Sequence, residues 1–224
     1  MTPRIALISA VPAAIHPAES AIRDQIPDAE LWNILDDRLL SDADNRGGLD
    51  ENLRNRMNRL IEHALGEGAD AVLLTCSLYG TVAQQFDADV PVLAPDDAAF
   101  AAVARGGFER VLVVASFEGA KADTMARLDA FLRGAGAQAQ IIGVAVPAAM
   151  APAKTGDQRQ LVQALIDGSL MVSESVDAVL LAQYSLAPAG EELEVALGVP
   201  VLSGPLNSAS LLRQALTNQL RDAS

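Results

Sequence analysis

Short apolar runs recur along the chain at residues 5–8, 71–74, 90–93, 111–114, 141–146, 179–181 and 199–202. They are rich in Val, Ile and Leu and apolar at consecutive positions, so they predict strands buried on both faces of a parallel sheet. Residues 31–35 predict a further, weaker strand with Trp32 and Ile34 on one face. Amphipathic stretches separate the runs. Leu49, Leu53, Met57, Leu60, Ile61, Ala64 and Leu65 follow helical spacing, with Arg54, Arg56 and Arg59 on the exposed side. Gly66 and Gly68 end that helix before Asp70. Further helices are predicted over residues 96–105, 120–133, 158–173 and 205–220. This alternation of strand and helix specifies an α/β fold with short crossovers.

The pattern also repeats. DAVLLTCS, from Asp70 to Ser77, returns as DAVLLAQY, from Asp177 to Tyr184. RIALIS at Arg4 pairs with RVLVVAS at Arg110, and VPVL occurs at Val90 and Val199. The three matches keep their order at a nearly constant spacing of roughly 107 residues, the mark of an internal duplication. Two similar Rossmann-like lobes with parallel sheets, related by a pseudo-two-fold, are therefore expected. The first spans residues 1–97, with residues 205–224 packing back on it, and the second spans residues 98–204. The expected active site is the cleft between them.

Composition narrows the class. Of 224 residues, 50% are hydrophobic but only 4% aromatic, the palette of helices packed on a sheet. The formal charge of −13 lacks the basic stripe that nucleic acid requires. The first apolar run reads as a strand rather than a secretory leader, and no apolar stretch reaches membrane-spanning length. One cysteine and two histidines make neither a disulfide framework nor a Cys-rich zinc site. A cytoplasmic protein without membrane or nucleic-acid partners, and with no metal, is expected.

Ligands of open parallel sheets bind beyond the carboxyl ends of the strands. Ser9 and His16 follow the first strand, Thr75, Cys76, Ser77 and Tyr79 the third. In the second half the corresponding segments bring Ser116, Gln183 and Tyr184. Hydroxyls beside helix N-termini suit a carboxylate, and the same setting favours a thiolate at Cys76. The plainer reading of Cys76 is an inert core residue. Its place at a strand end favours function. His16 serves either the site or the shape of a loop before Pro17, and His63 reads as structural. Tyr79 and Tyr184 line the pocket or pack against the lobe interface. Asp36-Asp37 reads as a solvated turn or helix cap rather than a metal site. GEG (66–68) and GAG (134–136) follow helices, so neither fits a dinucleotide fingerprint, and there is no Walker loop or G-x-S-x-G elbow. A cofactor-free site is the economical expectation.

With these motifs in place, the duplicated strand phrase and its cysteine resemble the aspartate/glutamate racemase superfamily, which includes hydantoin racemase, maleate isomerase and arylmalonate decarboxylase. The resemblance covers nearly the whole chain and implies paired α/β lobes and a homo-oligomer. It also implies a small carboxylate substrate, handled without a cofactor. In racemases of that superfamily two cysteines face opposite sides of the substrate α-carbon. Cys76 matches the first-lobe position, and Gln183, which cannot exchange a proton near neutral pH, stands at the second. The implied activity is an isomerase or racemase with Cys76 as its catalytic group. Thr75, Ser77, Tyr79, Ser116, Gln183, Tyr184, Ser9 and His16 would then hold the substrate. A one-thiol lyase such as an arylmalonate-type decarboxylase, a non-catalytic carboxylate-binding protein and a nucleotide-binding flavodoxin-like protein are the alternatives.

Overall fold

A computed structural model describes residues 2–172 and 175–222. The chain divides into two compact units, Met1–Ala98 with Ser208–Ser224, and Ala99–Asn207. The divisions fall inside two helices.

The first unit runs β1 (Arg4–Ser9), α1 (Ile15–Gln25), β2 (Glu30–Leu35), α2 (Leu39–Arg46), α3 (Glu51–Gly66), β3 (Ala71–Leu74), α4 (Gly80–Gln85), β4 (Val92–Leu93) and the start of α5 (Asp97–Gly106). Its sheet is parallel, in the order β2-β1-β3-β4. The second unit runs β5 (Arg110–Ala115), α6 (Glu118–Gly134), β6 (Gln140–Ala145), α7 (Met150–Thr155), α8 (Gln158–Leu170), β7 (Ala178–Leu181), α9 (Gly190–Leu197), β8 (Val201–Ser203) and the start of α10 (Gly204–Asp222). Its parallel sheet repeats the topology as β6-β5-β7-β8. The expected α/β class and paired Rossmann-like sheets are what the structure has.

Both faces of each sheet are covered, which is why the strands read as unbroken apolar runs. In the second unit Leu112, Val114, Val179 and Leu181 pack into one cluster with Leu161, Leu165 and Leu193 of the helices. The alternate residues Val111, Val113, Ala115 and Leu180 pack into another with Leu128 and Leu132. In the first unit Ala6, Ile8, Val72 and Leu74 meet Leu53, Met57 and Ile61 of α3.

The repeated aspartates have a structural task. The Asp70 carboxylate accepts the N–H of Arg4 at 2.7 Å, and the N–H of Asp70 donates to the Arg4 carbonyl. Asp177 does the same with Arg110 at 2.8 Å and also accepts the N–H of Glu109. Each aspartate thus fastens the start of one central strand to its neighbour.

Several expected boundaries move. β4 starts at Val92, after Pro91, whose missing N–H shortens the ladder. α8 ends at Leu170, and the expected end at Ser173 lies outside the described residues. Helix α1 begins at Ile15, two residues before Pro17, which is buried in its first turn. Ser208, on α10, donates its hydroxyl to the carbonyl of Pro95 at 3.4 Å.

Candidate active site

Parallel register brings the carboxyl ends of β1, β2 and β3 to one edge of the first sheet, with Ser9 opposite Leu35 and Ile8 opposite Leu74. Three bonds hold the segments that leave it. The N–H of Thr75 donates to the Ile8 carbonyl at 3.0 Å, and that of Asp36 to the Ser9 carbonyl at 3.0 Å. The Thr75 hydroxyl donates to Ser9 Oγ at 2.9 Å. Both hydroxyls are buried, so they satisfy each other.

Cys76 follows at once. It is half-buried and in extended conformation, and it precedes a single 3-10 turn over Ser77–Tyr79 that runs into α4. The N–H of Tyr79 closes the turn on the Cys76 carbonyl at 3.1 Å. Ser77 is half-buried beside it and Leu78 is exposed. The first N–H groups of such a turn have no partner within it, so they are available to an anion or thiolate.

Tyr79 is fully buried, and its hydroxyl donates to the Leu39 carbonyl at 3.0 Å. Burial pushes its phenol up to about 12, and the neighbouring Cys76 charge acts in the same sense. That hydroxyl is committed to the backbone of its own lobe. His16 lies exposed in the first turn of α1.

The second unit repeats the geometry with different chemistry. Gln183 stands at the end of β7 in the same extended conformation, before a longer 3-10 segment over Tyr184–Ala189. The N–H of Leu186 closes on the Gln183 carbonyl at 3.1 Å, as Tyr79 does on Cys76. The side-chain oxygen of Gln183 accepts the backbone N–H of Ser116 at 2.7 Å. Ser116 and Tyr184 are buried.

A charged cluster beside the Cys76 turn was not anticipated. Arg56 donates to Asp36 at 2.6 Å and to Asp42 at 2.8 Å. Asp36 is therefore ion-paired rather than solvated, and Arg56 turns inward from the face where helical spacing put it. Desolvation opposes the Arg56 charge, yet its bonds to Asp42 and the charge of Asp36 outweigh that and raise its pKa. The Arg38 hydrogen bond holds Asp42 below the usual carboxylate range. The only signal for this arrangement in the sequence is one arginine among three on a polar helix face.

Among the described residues no group of three or more His, Cys, Asp or Glu side chains gathers to hold a metal. None of the described helices is long and apolar enough to cross a membrane.

No family model matches the chain, and no curated protein sequence matches it significantly. Solved structures do. A glutamate racemase from Bacillus anthracis superposes with a TM-score of 0.71 at 16% identity, covering 97% of this chain and 82% of its own. An aspartate racemase from Picrophilus torridus gives 0.68 at 16% identity, covering 93% of both chains. An allantoin racemase from Klebsiella pneumoniae gives 0.67 at 17% identity, covering 97% of this chain and 89% of its own. At such identities the likeness is one of architecture, and on that ground the chain has the fold of the aspartate and glutamate racemases.

Proposed function

We propose that this protein is a cofactor-independent isomerase or racemase that moves the α-proton of a small carboxylic acid, with Cys76 as its acid/base group. The observation that carries the reading is the placement of Cys76. It is a half-buried thiol at the end of β3, between the hydroxyl residues Thr75 and Ser77, on a fold whose solved examples are named for the racemisation of aspartate, glutamate and allantoin.

The chemistry follows from those groups. The Cys76 thiolate takes the proton from the substrate α-carbon, and the electron pair moves into the carboxyl group as an enediolate. Return of that proton by Cys76 regenerates the substrate, whereas a proton from water on the opposite face gives the other enantiomer, after which Cys76 loses its proton to solvent and the thiolate is restored. The burden is the enediolate charge, which directed N–H and hydroxyl donors reduce. Ser77 and the first N–H groups of the turn adjoin Cys76 in the chain and would supply such donors in the first lobe. Gln183 has no exchangeable acid at neutral pH, so Cys76 is the proton carrier in this reading.

The test is α-proton exchange in D₂O, followed by proton NMR with aspartate, glutamate and other small carboxylic acids in both enantiomers. The expected result is deuterium at the α-carbon with the unmodified protein. In Cys76→Ser the rate should fall by about a hundredfold or more, the scale of a lost general acid/base. Exchange by Cys76→Ala at the unmodified rate overturns the assignment.

A further inference from the structure

We propose that Arg56 is a positioning residue for Cys76, acting through a chain of bonds that crosses the first lobe. Arg56 clamps Asp36 and Asp42, the clamped segment presents the Leu39 carbonyl, Tyr79 bonds that carbonyl, and Tyr79 closes the turn on Cys76. The proposal rests on the reading of Cys76 as the reactive group.

The two ends of the Cys76 segment are held differently. On the strand side Thr75 is fixed by the β1 ladder and by Ser9. On the other side the turn depends on Tyr79, whose ring is buried and whose hydroxyl reaches Leu39 at 3.0 Å. A tyrosine has two rotatable side-chain bonds, so anchoring its hydroxyl also fixes where its backbone sits. That backbone N–H holds the Cys76 carbonyl. The turn is therefore as well placed as Leu39 is.

Leu39 begins α2 after a short connection organised around Asp36, whose carbonyl accepts the N–H of Leu39 at 3.2 Å and whose carboxylate accepts that of Arg38 at 3.3 Å. Arg56 supplies the restraint from α3, with one guanidinium nitrogen on Asp36 just after β2 and another on Asp42 within α2. The two carboxylates bracket Leu39 in the sequence. They are only 15% and 14% exposed, and Arg56 is 30% exposed, so this is no solvated rim pair. Partly buried ion pairs contribute little stability against apolar replacements, and their best-attested use is to specify one arrangement. A planar fork that engages two carboxylates at once suits that role better than a lysine. With Arg38 on Asp42, the cluster holds two cations and two anions.

The chain has one cysteine, so iodoacetamide reads Cys76 directly and without substrate. The alkylation rate should fall roughly three- to tenfold in Arg56→Met and in Tyr79→Phe, the scale of coupling within one hydrogen-bond network. Arg56→Lys should recover part of the rate, and the double variant Arg56→Met/Tyr79→Phe should be no slower than the slower single one. Circular dichroism melts verify folding, and Asp42→Asn enters the same chain if Arg56→Met does not fold. Rates equal to or above the unmodified protein, or effects that multiply in the double variant, overturn the proposal. Absence of α-proton exchange with these alkylation effects intact would overturn the proposed activity but leave the positioning role standing.

Discussion

The side-chain oxygen of Gln183 accepts the backbone N–H of Ser116 at 2.7 Å, which fixes which way the amide points. A backbone N–H can only donate, so the oxygen faces Ser116 and the amide nitrogen remains the donor of that side chain. The repeat puts Cys76 at the matching position of the first lobe. The first lobe ties the ends of β1 and β3 with the Thr75 and Ser9 hydroxyls, whereas the second has Ala182 and Ala115 there and uses Gln183 to join the ends of β5 and β7. Gln183 is thus a structural tie that also presents a neutral donor.

Removing that tie leaves a buried N–H unpaired. Gln183→Leu should cost about 1–3 kcal/mol, the penalty for an orphaned buried donor. Gln183→Glu keeps the acceptor and should cost less at neutral pH. Urea unfolding measures both, and equal losses for Leu and Glu would refute the assigned bond.

The repeated aspartates are predicted to matter for stability and not for activity, because each sits at the amino end of its own strand, whereas Cys76 and Gln183 follow the carboxyl ends. Asp177→Ala strands the N–H groups of Glu109 and Arg110, and Asp70→Ala strands that of Arg4. Each loss should be about 1–3 kcal/mol, with Asp177 the larger. Thermal melts give the order, and the alkylation rate of Cys76 should not move in either.

Gly168 lies inside α8, where alanine usually adds about 1 kcal/mol of helix stability. Here a Cβ would run into the side chain of Val146. Gly168→Ala should therefore destabilise by about 1–3 kcal/mol through overpacking. Adding Val146→Ala should recover part of that loss. A stabilised Gly168→Ala would show that the helix has room there.

Tyr79 sets an alkaline limit. Its phenol is raised from 10.0 to about 12, so the folded state keeps a proton that the unfolded chain releases. The stability from this group is fully present below pH 10.0 and is lost as the pH rises towards about 12. Absorbance titration should show a tyrosine ionising near 12, and Tyr79→Phe should remove that step.

Fold class was legible in the sequence because a strand buried on both faces must be apolar at every position. β3 and β7 show this plainly: AVLL, written twice, is buried throughout in both lobes. The short helices α2, α4, α7 and α9 were not read, since runs of six to eight residues are too short for helical periodicity to stand out. Cys76 was legible as a strand-end thiol. The commitments of its neighbours were not.

By itself the sequence determined the two parallel sheets, the duplication and the place of Gln183 at the repeat position of Cys76, all properties of residue type at a given spacing. Tertiary structure decided the roles. Arg56 reads as a solvent-facing helix residue until folding brings Asp36 and Asp42 within 2.8 Å of it, and Tyr79 reads as a pocket residue until its hydroxyl meets Leu39. Gln183 reads only as the counterpart of Cys76 in the repeat until the N–H of Ser116 donates to its oxygen. Hydrogen bonds between residues distant in sequence depend on where the backbone goes, and local pattern carries no record of that.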